Sequence, residues 1–166
     1  GISCTQIDYR NSRYKLTMRL SGHFNLQELT KSQTATRKGI DNTPTPEHIE
    51  RLTDLCLQVL EPTRRHFGKP MVITSGYRSA DLCLAIGSNP NSQHAKGEAA
   101  DFEMFGVDNK TLAKFIKNEL IYDQLILEFY NSDDPSSGWV HCSYSKDNNR
   151  KQSLIYDGKD YKQWLT

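Results

Sequence analysis

The sequence predicts a single α+β domain, a small antiparallel sheet with helices packed on one side, and three observations lead there. From Glu47 to His66 the apolar residues Ile49, Leu52, Leu55, Cys56, Val59 and Leu60 recur at spacings of three and four, the pattern of a helix with one buried stripe. Gln124 to Tyr130 and Trp139 to Tyr144 both alternate, and the turn-rich Asn131 to Gly138 between them makes the pair a hairpin. The chain has 166 residues, enough for one core without disulfide staples and too few for two ordinary domains.

The other elements follow in order. Residues 1–23 alternate polar and apolar positions and read as a strand or extended arm. Phe24 to Leu29 reads as a short helix entered at Asn25, and Thr45 is an N-cap before Pro46 at the first position of the long helix. Pro62 falls late in that helix, where it ends or kinks it, and Gly68-Lys69-Pro70 closes the segment. Met71 to Thr74 is a short buried strand stopped by Ser75-Gly76, and Leu82 to Ile86 one or two helical turns. Gly87 to Ser92 is a loop, Ala99 to Met104 a strand, and Asn109 to Glu119 a helix with Leu112, Phe115 and Ile116 inward. The C-terminal stretch from Leu154 to Leu165 is mixed in pattern.

Composition excludes several function classes. The longest apolar run, Leu82 to Ile86, is five residues, whereas a membrane span needs about 20. The N-terminal residues have neither a basic nor an apolar signal region, so no secretory signal is expected. A net charge of +1 without a basic stripe argues against nucleic acid as a partner. The four cysteines, Cys4, Cys56, Cys83 and Cys142, form no C-x-x-C pair, which argues against a cysteine zinc site and favours buried free thiols over two disulfides.

Chemistry concentrates in Ser92 to Asp101, which sets His94 and Asp101 around Gly97, a residue that lets the backbone turn sharply. His141 lies on the second strand of the hairpin. If these segments meet, His94, Asp101 and His141 offer two nitrogens and one oxygen, a set suited to tetrahedral zinc with one position open for catalysis. The remaining histidines, His23, His48 and His66, lack any such context.

The residues Ser92, His94, Gly97, Ala99 and Asp101 match S-x-H-x-x-G-x-A-x-D without a gap. Trp139 to Ser143 match a W-V-H-x-S strand, and Ser75 to Ser79 match S-G-Y-R-S. With these three motifs in order, the sequence resembles the zinc D-Ala-D-Ala carboxypeptidases and the L-Ala-D-Glu endopeptidases of bacterial cell walls and phage lysins. These enzymes have the hedgehog-like DD-peptidase fold. Cys83 and Gly87-Ser88 depart from the family pattern, at what would be the rim of the substrate groove.

The resemblance implies one Zn²⁺ per chain on His94, Asp101 and His141, on the sheet face away from the helices. It implies a peptidoglycan stem peptide as substrate and a monomeric enzyme with the cell wall as its place of action. Its core runs from about residue 24 to 144, with 1–23 as an arm and 145–166 as an extension of one catalytic domain. Some relatives place the general base two or three residues before the third ligand, where this chain has Trp139 and Gly138, neither able to serve. Glu128 is the expected base, since strand alternation puts it on the opposite face from Leu125, Leu127 and Phe129. Arg78 is expected to hold a substrate carboxylate or carbonyl, with Tyr77, Ser92 and Gln93 as substrate contacts and Asp123 behind a ligating imidazole. The rival expectation from another class is a hedgehog-like zinc-containing binding module or a phage structural protein.

Overall fold

The computed structural model describes residues 17–165, so most of the expected N-terminal arm lies outside the described residues. Residues 17–23 hold a turn and bends, tied by a single bridge between Arg19 and Asn25. Helix α1 (Leu26–Thr30) begins with a capping box in which Asn25 and Glu28 exchange side-chain to backbone bonds of 3.0 and 2.9 Å. A helix the sequence reading does not include, α2 (Gln33–Lys38), starts at Ser32 and stops at Gly39 in the left-handed region.

The long amphipathic stretch forms α3 (Pro46–Leu55), a π-helical turn over Cys56–Leu60, and α4 (Glu61–Phe67). Thr45 caps its start, as expected. Pro62 neither ends nor interrupts the helix. The wide turn before it, in which the Glu61 N–H reaches back to the Cys56 carbonyl, makes room for a ring that would otherwise strike the preceding turn.

The remaining elements are β1 (Met71–Ser75), α5 (Ala80–Ala85), α6 (Gln93–Lys96), β2 (Ala99–Met104), α7 (Asn109–Glu119), β3 (Gln124–Glu128), β4 (Trp139–Ser143), β5 (Gln152–Tyr156) and β6 (Tyr161–Gln163). The strands form one sheet in the order β1-β2-β4-β3-β5-β6. The expected hairpin is present as β3 and β4, paired from Leu125 opposite Cys142 to Glu128 opposite Trp139.

The expectation of an antiparallel sheet needs correction, because β5 runs parallel to β3. β4 ends beside the start of β3, where the Asp123 N–H donates to the Ser143 carbonyl. The link over residues 144–151 stays at that end, held by Lys151 N–H on Tyr122 and Gln152 N–H on Asp123, so β5 must leave in the direction of β3. The C-terminal stretch, mixed in sequence pattern, supplies β5, β6 and Trp164, which is 5% exposed against the core.

One face of the sheet buries Ala100 and Phe102 of β2, Leu125 and Leu127 of β3, and Val140 and Cys142 of β4. They share a core with Leu52, Leu55 and Val59 of the long helix and Leu112 and Ile116 of α7. Asp101 and His141, the register partners between Ala100 and Phe102 and between Val140 and Cys142, take the opposite face. Cys56, Cys83 and Cys142 are buried free thiols, and burial pushes the first and last far above the ordinary thiol range.

Gly138 enters β4 at φ +69, and a Cβ there would collide with the Glu128 carbonyl oxygen and approach the Phe129 carbonyl carbon to 2.8 Å. Gly138→Ala is therefore expected to cost about 1–3 kcal/mol, from left-handed backbone strain plus the clash. Chemical denaturation checks it; an unchanged midpoint and slope would show that the hairpin shifts freely at this point.

Candidate metal centre

The site is assembled from three elements. β2 presents Asp101, its neighbour β4 presents His141 directly across the pair, and α6 lays His94 over them. Gly97 ends α6 at φ +77, where its missing side chain lets the backbone pass the His48 carbonyl; a Cβ would come to 2.7 Å. That tight return connects His94 to Asp101 within a short loop.

Donor atoms from His94, Asp101 and His141 lie within 4.8 Å of one another, and this is the group of described residues able to hold a metal ion. His141 Nδ1 stands 2.9 Å and His94 Nε2 3.5 Å from the same carboxylate oxygen, Asp101 Oδ1. The other nitrogen of His94, Nδ1, is 2.8 Å from the Gly76 carbonyl. A carbonyl only accepts, so Nδ1 carries the proton and the Nε2 lone pair is left facing Asp101. His94 and Asp101 are 6% and 8% exposed, so few waters compete for these donors.

Electrostatics favour the ligating forms. Burial lowers the pKa of His94 against the opposing pull of Asp101, keeping the imidazole neutral. For Asp101 burial alone would raise the pKa, but the two imidazoles beside it, His141 foremost, outweigh it and hold the carboxyl well below the ordinary range. Two imidazole nitrogens and one ionised carboxylate, buried and converging, fit a tetrahedral zinc site with one position left for a reactant.

Arg78 adjoins this cluster. Its Nη2 donates to Asp101 Oδ2 at 3.2 Å and its Nε to the Ser75 hydroxyl at 2.7 Å. The guanidinium thus supports a cluster residue while Nη1 has no partner among the described residues. Glu128, half-buried, is the register partner of Trp139 and lies on the same face as His141. Burial raises its pKa first and the Asp101 charge second, with His141, the Trp139 N–H and Arg78 pulling against them. The Trp139 Nε1 is buried and lacks a well-formed hydrogen bond, so its N–H only weakly offsets the effect of burial on Glu128.

The other expected contacts lie further out. Tyr77 is 5% exposed and its ring packs 4.6 Å from that of His48, within the core rather than among the metal donors. Ser92 precedes α6 with its hydroxyl 3.9 Å from the Cys83 sulfur. Asp123 backs no imidazole, which corrects that expectation. Its carboxylate accepts from Gln93 Nε2 at 2.7 Å and from Arg150 Nε and Nη2, both at 2.9 Å. Gln93 is the residue before His94, so Asp123 and Arg150 brace the start of α6, the helix that carries His94. Arg150 lies in the stretch after Tyr144 with no motif around it, and the only signal for it was a cation near a carboxylate that strand burial would leave in need of one.

The family model for Peptidase M15 matches residues 22–143. The chain belongs to the Peptidase M15 family. These are zinc peptidases of the D-Ala-D-Ala carboxypeptidase kind, and the matched span holds all three members of the His94, Asp101 and His141 group. No curated protein matches the chain.

Donation from Arg150, opposed by burial and helped by its backbone N–H and Gln93, lowers the Asp123 pKa from 3.8 to about 2. A depressed carboxylate pKa contributes stability above the unfolded value and loses it as pH falls through the folded one. Arg150→Met is thus expected to cost about 1–3 kcal/mol at pH 7, the scale of a charged hydrogen bond removed from a buried partner. The deficit should shrink between about pH 4 and pH 2. Denaturant unfolding at both ends measures it, and a deficit that stays constant with pH would mean the carboxylate is not what Arg150 stabilises.

Proposed function

We propose that the protein is a zinc-dependent peptidase that cleaves an amide bond in peptidoglycan stem peptides, working as a monomer with one zinc per chain. The convergence of His94 Nε2 and His141 Nδ1 on the Asp101 carboxylate carries this reading, together with membership of the Peptidase M15 family. His94, Asp101 and His141 would hold the metal. When bound, zinc supplies Lewis-acid polarisation of the scissile carbonyl and acidifies the attacking water.

The protein's own groups do the rest. Glu128, raised in pKa by burial and by Asp101, accepts the proton of the attacking water and delivers it to the leaving amine. Arg78 holds the substrate through its open Nη1, positioned by Ser75 and Asp101. His94 is fixed in the ligating tautomer by the Gly76 carbonyl. The same arrangement serves a D-Ala-D-Ala carboxypeptidase or an L-Ala-D-Glu endopeptidase, in wall remodelling or in phage lysis. No helix among the described residues is long and apolar enough to cross a membrane.

Purified peptidoglycan digested with and without chelator, followed by mass analysis of the fragments, tests this function. Release of terminal D-Ala identifies a carboxypeptidase and cleavage after L-Ala an endopeptidase. No chelator-sensitive product from any wall type would overturn the enzyme reading in favour of a zinc-containing binding module. Glu128→Gln is expected to lower kcat by about 10²–10⁴-fold, the range of a general base, while zinc content by elemental analysis stays near one per chain. His141→Ala should instead lose the metal.

A further inference from the structure

β1 is an edge strand. Among the described residues its only strand partner is β2, which leaves one side of its backbone without a ladder. Along that open side runs a groove of about 780 Å³ between α2, β1 and α5, within the usual size of small-ligand and peptide sites. Val72 and Thr74 stand exposed on the strand, and the groove ends at Ser75 and Arg78. Arg78, which lines the groove, also reaches Asp101 at 3.2 Å, so one side chain links the groove to the His94, Asp101 and His141 group.

The charge of the groove has one sign. Lys31, Arg37 and Arg78 line it, and among the described residues no Asp or Glu does. Lys31 and Arg37 are exposed and have no ion-pair partner among the described residues. An open strand edge recognises an extended backbone by hydrogen bonds that ignore side chains, and flanking cations then select for carboxylates. At about 3.3 Å per residue, the five residues of β1 span roughly 16 Å, the reach of a short peptide.

We propose that this groove is the subsite for the acidic portion of the substrate: an extended peptide adds to the free edge of β1, with its carboxylates on Lys31 and Arg37. The proposal rests on the peptidase reading and specifies it. D-Glu and a terminal carboxylate give a stem peptide the negative charge the groove is built to receive, and Arg78 hands the adjoining amide to the metal centre.

The test uses the zinc-loaded full chain and two synthetic peptides, N-acetyl-L-Ala-γ-D-Glu-(Nε-acetyl-L-Lys)-D-Ala-D-Ala, with two carboxylates and no ammonium, and its counterpart with D-isoglutamine in place of D-Glu. For the acidic peptide the double variant Lys31→Glu/Arg37→Glu should raise KM about tenfold with kcat changed less than twofold, the scale of two exposed pairs replaced by two repulsions. The isoglutamine peptide should show a smaller rise, and both effects should fade at about 0.5 M salt. Calorimetric binding of the same peptides reads the groove even without turnover, so failure of the peptidase reading and failure of the subsite are separate results. An acidic peptide N-methylated at alternate amides should bind the parent protein at least tenfold more weakly if it adds to β1, a readout that no protein folding defect can mimic. Equal affinity of parent and double variant for the acidic peptide, or indifference to N-methylation, overturns the proposal.

Discussion

Everything in this site depends on one buried anion. The Asp101 carboxylate gives one oxygen to two imidazoles and the other to Arg78, while only 8% of the residue is exposed. A carboxylate placed there alone would be costly enough to protonate rather than stay charged. Its partners are what keep it ionised, and each carries a second obligation. His94 is tied back to the Gly76 carbonyl and Arg78 to the Ser75 hydroxyl, so the strand end that follows β1 is fixed to the same anion. The charges of Asp101 and Arg78 cancel, and an ionised Glu128 leaves the neighbourhood one negative charge, which a bound cation would meet.

The sheet register protects this geometry. Because side chains alternate, a one-residue slip of β4 against β2 would carry His141 into the core and bring Val140 or Cys142 out to the site. The slip is opposed by the packing of Phe102, Val140, Cys142, Leu125 and Leu127 against the helices on the other face. The apolar residues between the polar ones are therefore as necessary to the chemistry as the ligands themselves. The same rule aligns Glu128 with Trp139, two residues along from the pairing of Ile126 with His141 and on the same face.

Much of this was legible in the sequence because it is local or periodic. The amphipathic stripe from Ile49 to Leu60, the alternation of β3 and β4, and the caps at Asn25 and Thr45 all express rules that operate within a few residues. The grouping of His94, Asp101 and His141 was implied by the resemblance of three motifs to the zinc peptidases, which the hairpin allowed. What the sequence hid is what tertiary contact decides. The fate of Pro62 depended on a π turn upstream, and the parallel direction of β5 on where the 144–151 link is anchored. Arg150 became part of the site's support only because that link folds back onto Asp123, and a short strand such as β6, all exposed, has no periodicity to betray it.

The two carboxylates nearest the centre show how environment divides labour between identical groups. Burial pushes both upward in pKa. For Asp101 the two imidazoles more than cancel that push, so its net shift is downward. Glu128 has no donor of comparable strength, and the Asp101 charge adds to the effect of burial, so its net shift is upward. In the proposed mechanism a metal ligand must keep its charge, whereas a base must take and return a proton near the working pH. The opposite displacements follow from where β2 and β3 place the two residues: Asp101 opposite an imidazole, Glu128 opposite an indole whose single N–H only partly offsets the loss of water.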